Sequence, residues 1–290
     1  MPGCDCSAIE RARTKLLIEP EGAAVLRRRH ILESDLPMAL RRDQFHIAYQ
    51  PIYDLADLSL LGFEALLRWN HPTLGVVGPE EFIPLLEATG HIVEVGRFVL
   101  CRASCQLADW HRFQPQLTMA VNISSRQIDD ADFVDHVRRA LHLSGVDPGS
   151  LTVEITETTL MADVEKSVDR LNGLKALGVQ IAIDDFGTGR SDLADLRRFP
   201  VDCLKIDRSL TRNLSASSDA DAAVHHLRDL GQRLGWRMIA EGIETMAQVD
   251  HLRGEFVEEA QGFLFSKPLP PEEILQRCLS APDLYASPER

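Results

Sequence analysis

Six cysteines in 290 residues, at 4, 6, 101, 105, 203 and 278, are too few and too scattered for a disulfide scaffold, and they read as reduced thiols. Cys4-Asp5-Cys6 has no second pair at zinc-ribbon spacing, and Cys101 and Cys105, at i and i+4 of an expected helix, read as small packed side chains. Long apolar runs are also scarce. Leu16-Leu17-Ile18 and Ala23-Ala24-Val25-Leu26 are the longest of the first thirty residues, which excludes a signal-peptide core, and Arg27-Arg28-Arg29 precedes no apolar run, which removes a twin-arginine leader. No window reaches the roughly 18 uncharged apolar residues of a membrane span. A cytoplasmic protein without membrane insertion is the expectation.

Positive charge is short as well: 31 Lys and Arg stand against 44 Asp and Glu, a formal net charge of −13. A DNA or RNA polymer, or an anionic membrane surface, needs a basic patch and is excluded as a partner on this ground. A small anionic substrate stays open, because bound metal ions reverse the local field of an acidic pocket. No Pro/Ser/Gly-rich linker interrupts the chain, and no Gly-rich dinucleotide loop follows the first expected strand.

What is present is centred on Ile181-Ala182-Ile183-Asp184-Asp185-Phe186-Gly187-Thr188-Gly189, an apolar strand-like run that ends in two adjacent carboxylates and a glycine turn. Two neighbouring acids in a partly desolvated place resist joint ionisation, so they call for a shared proton or a cation. Around this stretch the chain alternates. Strands are expected at 45–53, 60–69, 117–121, 151–157, 181–185, 201–206, 236–240 and 261–263. Helices are expected over 79–86, 92–113, 131–143, 164–177, 220–234 and 244–252, with another from Pro271. A short helix over 36–40, capped by Ser34 or Asp35, is expected before the first strand, Asp54 to Ser59 as a turn, and Asn70 to Gly75 as a loop. The polar strand ends at 122, 154, 184, 205, 241 and 261 are about 28 residues apart on average, close to the ~31 of an eight-unit barrel of about 250 residues. The expected fold is therefore an α/β TIM-type (β/α)8 barrel, modified, over 35–290, with a short helical or loose lead-in over 1–34. An open doubly wound sheet is the alternative.

In a parallel barrel the C-terminal strand ends meet at one mouth. Here they carry Glu64, Asn122, Glu154, Asp184, Asp185, Lys205, Glu241 and Gln261: five carboxylates, two amides and one cation. Oxygen-rich, sulfur-free donors of this kind suit Mg²⁺ or Mn²⁺ rather than structural zinc.

Glu64-Ala65-Leu66-Leu67-Arg68, Asn122-Ile123-Ser124, Glu154-Ile155-Thr156-Glu157, Asp184-Asp185-Phe186-Gly187-Thr188-Gly189, Lys205-Ile206-Asp207, Glu241-Gly242-Ile243-Glu244-Thr245 and Gln261-Gly262-Phe263 resemble, in order and spacing, the motifs of the EAL-domain family. The resemblance runs from about Leu36 to Leu275. It implies a modified TIM barrel, often dimeric, that uses two Mg²⁺ or Mn²⁺ ions to linearise cyclic di-GMP to 5′-pGpG. It further implies that Glu64, Asn122, Glu154, Asp184 and Asp185 hold metal, with Asp185 between the ions. Lys205, Glu241, Gln261 and Asp185 would serve catalysis at the water cluster, and Gln50, Leu67 and Arg68 would meet the substrate. Glu157, Thr188 and Glu244 would support the ligands and the loop after Asp185. His71 reads as a loop-ordering hydrogen-bond partner.

Two departures stand out. Arg190-Ser191-Asp192 replaces an aromatic and two serines in a segment that contributes to dimer contacts in relatives, and Val257-Glu258 replaces a Cys-Asp pair. Competing readings are a catalytically silent cyclic di-GMP receptor or protein-interaction scaffold, and a hydrolase of another phosphodiester or sugar phosphate. No Gly-Gly-Asp/Glu-Glu-Phe cyclase motif is present. The 34-residue lead is too short for a sensor domain, so control is expected through dimerisation, partners or expression.

Overall fold

A computed structural model describes residues 20–186, 193–214 and 218–279. In chain order the elements are helix α1 (Pro20–Ala39), strands β1 (Phe45–Asp54), β2 (Leu60–His71) and β3 (Gly75–Val77), and helices α2 (Pro79–Thr89) and α3 (Ile92–Trp110). Then come β4 (Thr118–Asn122), α4 (Ser125–Asp129), α5 (Phe133–Ser144), β5 (Leu151–Thr156), α6 (Glu157–Ala162), α7 (Val164–Leu177) and β6 (Gln180–Phe186). The remainder is α8 (Leu193–Leu196), β7 (Cys203–Ile206), α9 (Arg208–Thr211), α10 (Ser218–Leu234), β8 (Arg237–Ala240), α11 (Met246–Gly254), β9 (Glu259–Ala260) and α12 (Pro271–Ile274). The chain divides into a smaller unit, residues 1–46 with 68–91, and a larger one, 47–67 with 92–290.

The larger unit is a closed eight-stranded barrel in the order β1-β9-β8-β7-β6-β5-β4-β2, with β1 pairing β2 to close it. Neighbours from β2 through β9 are parallel. β1 is antiparallel to β9, Tyr53 opposite Ala260. The reversal follows from the short turn between β1 and β2, because a parallel pair needs a crossover of a dozen or more residues. The crossover helices start and stop where local chemistry dictates. Asp163 caps α7 by accepting from the Lys166 N–H at 3.1 Å, and Gly178, at φ 92°, ends it in the left-handed region that favours glycine.

Barrel strands alternate between the helix side and the interior, so residues two apart share the interior. Ala182, Cys203 and Ile239 cluster there with Ile52, all buried, and each of the three lies two residues before an acid or lysine of the mouth: Asp184, Lys205 and Glu241. This apolar plug closes the barrel beneath the mouth. Cys203 is one of its packing groups, and burial pushes its thiol up, away from a reactive thiolate.

In the smaller unit the expected loop at Asn70 to Gly75 is instead an antiparallel hairpin, Trp69 opposite Val77 and His71 opposite Gly75. His71 does order it: its Nδ1 accepts from the Thr73 and Leu74 N–H groups at 3.3 and 3.2 Å, while Nε2 lies 3.1 Å from Asp35. The expected cap at Ser34 or Asp35 is replaced by the interior of α1, which runs on to Ala39 because Leu32, Leu36 and Ala39 bury one stripe. In the larger unit most boundaries shift by one to three residues, and two of these shifts change what the site residues belong to. The last strand is Glu259–Ala260 rather than 261–263, and Glu157 opens α6 instead of ending β5, because Thr156 caps that helix.

Trp69 is fully buried, with its ring 5.4 Å from Phe45 and 5.9 Å from Phe82, and its Nε1–H donates to Gln44 Oε1 at 3.0 Å. Trp69→Ala is expected to cost about 3–5 kcal/mol in urea unfolding, the usual range for an emptied aromatic site. A loss below about 1 kcal/mol would contradict this packing.

Candidate active site

Lys205 lies at the centre of the mouth and is fully buried on β7. Its Nζ is 2.7 Å from Glu241 Oε1, 2.8 Å from Glu154 Oε2, and 3.4 Å from both Glu64 Oε2 and Asp184 Oδ1. Four carboxylates, from three parallel strands and the loop after β8, thus converge on one ammonium. Two amides bind the rim together. Asn122 Nδ2 donates to Glu64 Oε1 at 2.6 Å, and Gln261 Nε2 donates to Glu64 Oε2 at 2.6 Å and to Glu241 Oε1 at 3.0 Å.

Asp184 and Asp185 are neighbours on β6, and in a regular strand they would point to opposite faces. Two features bring them together. The β6–β7 register shifts between Ile183 and Phe186, and Asp185 has φ 54°, in the left-handed region. As a result Asp184, Asp185 and Glu241 each offer a carboxylate oxygen, all within 4.8 Å of one another.

The electrostatics follow from burial and crowding. Burial would favour a neutral lysine, but the four acids outweigh it and hold the Lys205 ammonium well above its usual range. Burial also works against ionised Glu64, yet the Lys205 charge and the donors from Gln261 and Asn122 keep that carboxyl below its ordinary value. Glu154 is raised well above the carboxylate range by burial, against Lys205, with the charges of Glu64 and Asp184 adding. Glu241 is pushed up to about 7 by burial, against Lys205, and by Asp184 and Glu64. Asp185 is raised by burial and by the charges of Asp184 and Asp207. One lysine does not satisfy this much carboxylate.

The donor set fits a hard cation. Glu154 Oε1 and Gln261 Oε1 are buried and have no hydrogen-bond partner among the described residues, and both are acceptors that a cation or its water would satisfy. Every donor is oxygen, as Mg²⁺ or Mn²⁺ prefers.

The other expected residues are spread around this centre. Gln50 is buried on β1 and its Nε2 donates to the Ser266 carbonyl at 3.3 Å. Leu67 is half-buried on β2, Glu157 is buried at the start of α6, and Glu244 is exposed in the loop after β8, its N–H donating to Gln248 Oε1 at 2.8 Å. Arg68 belongs to the smaller unit. Thr188 and Arg190-Ser191-Asp192 lie outside the described residues. Thr211 and Gln248, which belong to none of the motifs, hold the backbone after Glu241. Gln248 has a signal in the sequence, since Thr245 and Gln248 have the Thr-x-x-Gln spacing of a capping box, which the structure forms at the start of α11, whereas Thr211 has none.

The EAL domain family model matches residues 33–268. Over 240 residues the chain is 42% identical to the cyclic di-GMP phosphodiesterase NbdA of Pseudomonas aeruginosa, an alignment covering 82% of this chain and 31% of that protein. It is 42% identical over 249 residues to the bifunctional diguanylate cyclase/cyclic di-GMP phosphodiesterase MucR of the same organism, covering 83% of this chain and 35% of that one. The chain thus spans about a third of the length of these relatives. Among solved structures it is similar to the PaMucR phosphodiesterase in complex with c-di-GMP, with a TM-score of 0.81 and 42% identity over 84% of this chain and 99% of that chain.

Glu241 has an ordinary value of 4.5 and reaches about 7 when folded, so the folded state binds its proton more tightly than the unfolded chain. Its contribution to stability is fully present below about pH 4.5 and is lost as pH rises through about 7. The metal-free protein is therefore expected to lose melting temperature between about pH 5 and 8, and Glu241→Gln, which cannot ionise, to flatten that slope. An unchanged slope in the variant would remove Glu241 as its source.

Proposed function

The chain belongs to the EAL-domain family, and from that premise we propose that it hydrolyses cyclic di-GMP to linear 5′-pGpG with two divalent ions. The observation that carries this reading is the cup itself, in which Glu64, Asn122, Glu154, Asp184, Asp185, Lys205, Glu241 and Gln261 are all present around one mouth. Glu64, Asn122, Glu154, Asp184 and Asp185 would hold the ions, Mg²⁺ or Mn²⁺. Such ions, when bound, supply an ionised water at neutral pH and neutralise charge on the phosphoryl group.

The protein's own groups account for the rest. Lys205 Nζ has three N–H donors, and its buried charge stabilises the negative charge that develops on the phosphate oxygens in the transition state. Glu241, held 2.7 Å from Lys205, acts on the attacking water beside the ions. Gln261 fixes the position of both Glu64 and Glu241 through its amide N–H groups. The apolar plug of Ile52, Ala182, Cys203 and Ile239 packs beneath this layer. Gln50, Leu67 and Arg68 complete the reading as substrate contacts, Arg68 by a forked contact to phosphate. Glu157, Thr188 and Glu244 support the ligands. Homodimerisation and action in the cytoplasm belong to the same proposal. Among the described residues no helix is long and apolar enough to cross a membrane.

Purified protein with Mg²⁺ or Mn²⁺ is expected to convert cyclic di-GMP to 5′-pGpG, followed by reversed-phase chromatography, and Glu64→Ala to lower the rate by about 100-fold or more. Tight binding of cyclic di-GMP without product at saturating metal would replace this reading with that of a receptor.

A further inference from the structure

The backbone that carries Glu241 is held by more than its strand. Glu241 lies just past β8, and its N–H donates to the Ile206 carbonyl at 3.1 Å, one residue after Lys205. Gly242 follows at φ 66°, where an added Cβ would come within 2.6 Å of Arg208 Cβ. The chain therefore turns tightly against α9. From that helix the Thr211 hydroxyl, fully buried, donates to the carbonyl of Glu241. Thr211 is in turn held by Gln248 of α11, whose Nε2 donates to the Thr211 carbonyl at 3.0 Å. The same amide accepts at Oε1 from the N–H groups of Glu244 and Thr245, at 2.8 and 2.9 Å. Gln248 is itself buried, so its amide is committed to these contacts.

The geometry points to Thr211 and Gln248 as positioning residues of the site: a clamp that sets the Glu241 backbone relative to Lys205. Three routes tie Glu241 to Lys205: the 2.7 Å ion pair of their side chains, the Glu241 N–H on the Ile206 carbonyl, and the path from the end of β7 through α9 and Thr211 to the Glu241 carbonyl. Loss of the third leaves the ion pair and the strand bond in place but releases the carbonyl side of the peptide that aims Glu241. The inference rests on the hydrolytic reading for its kinetic consequence only. The clamp itself is a feature of the fold, and a displacement on the order of 1 Å at a reacting group costs roughly 100-fold in rate.

The test uses Thr211→Val, which keeps the shape and loses the hydroxyl, Thr211→Ser, which restores it, and Gln248→Ala. Thr211→Val and Gln248→Ala are expected to lower kcat for cyclic di-GMP about 10-fold with KM within about twofold, and Thr211→Ser to recover most of the loss. In metal-free protein, amide hydrogen exchange at Glu244 and Thr245 is expected to quicken at least tenfold in Gln248→Ala. An unchanged kcat in both Thr211→Val and Gln248→Ala, or a loss that Thr211→Ser fails to recover, would overturn the proposal. Should wild-type protein give no product, the functional reading fails and the clamp is judged by titration with Mn²⁺ alone, to which Glu241 offers an oxygen in the same cluster as Asp184 and Asp185. A roughly 10-fold weaker affinity in Thr211→Val supports the clamp, and an unchanged affinity overturns it.

Discussion

The burial of one ammonium among four carboxylates is the constraint around which the larger unit is arranged. Lys205 has no exposed surface and touches acids carried by β2, β5, β6 and the loop after β8. Desolvating a charge is costly unless it is paired, and here each partner is also buried or nearly so. The barrel therefore has to close with these strand ends in one particular stagger. A strand displaced by two residues would leave a charge without its partner, and one displaced by a single residue would turn its acid out of the interior. The apolar plug two residues below supports the same register from the other side.

A lysine with four acid neighbours still leaves the cup over-supplied with negative charge. The raised values of Glu154, Asp185 and Glu241 and the unpartnered oxygens of Glu154 and Gln261 express that one surplus in different ways. Protons or cations satisfy it, and protons do so only at the expense of the nucleophile chemistry proposed for the site. The left-handed backbone at Asp185 is part of the same design, since a bulge at the strand end is what lets two consecutive aspartates address one point.

Much of this was legible in the linear chain because barrel strands are short, separated by helices and marked by polar ends. Seven of the eight barrel strands, the helix of Val164–Leu177 and the convergence of Glu64, Glu154, Asp184, Lys205 and Glu241 are readable from alternation and spacing. Other features were not. The β2–β3 hairpin is hidden by the loop-type residues of Asn70 to Gly75, the unbroken α1 runs on because Leu32, Leu36 and Ala39 are buried, and the pairing of β1 with β9 joins opposite ends of the barrel sequence. Thr211 was passed over because a hydroxyl on a one-turn helix has no local signature, and its partner is a carbonyl thirty residues on.

The sequence by itself determined the inventory: which strand ends carry oxygen donors, that one lysine stands among them, and that no cysteine or histidine shares the mouth. Those are matters of residue type and period, and covalent order carries them. Only the tertiary structure decided the distances, and with them the chemistry. Whether five carboxylates are a scattered set of caps or a single cup depends on the barrel closing through the β1–β2 pair. Whether Asp184 and Asp185 cooperate depends on one bulge, and whether Glu241 titrates near neutrality depends on its own burial, against Lys205, and on the charges of Asp184 and Glu64 beside it. Each is a property of separations of a few ångströms between residues tens of positions apart, and electrostatic energy in a desolvated site varies steeply over just that range.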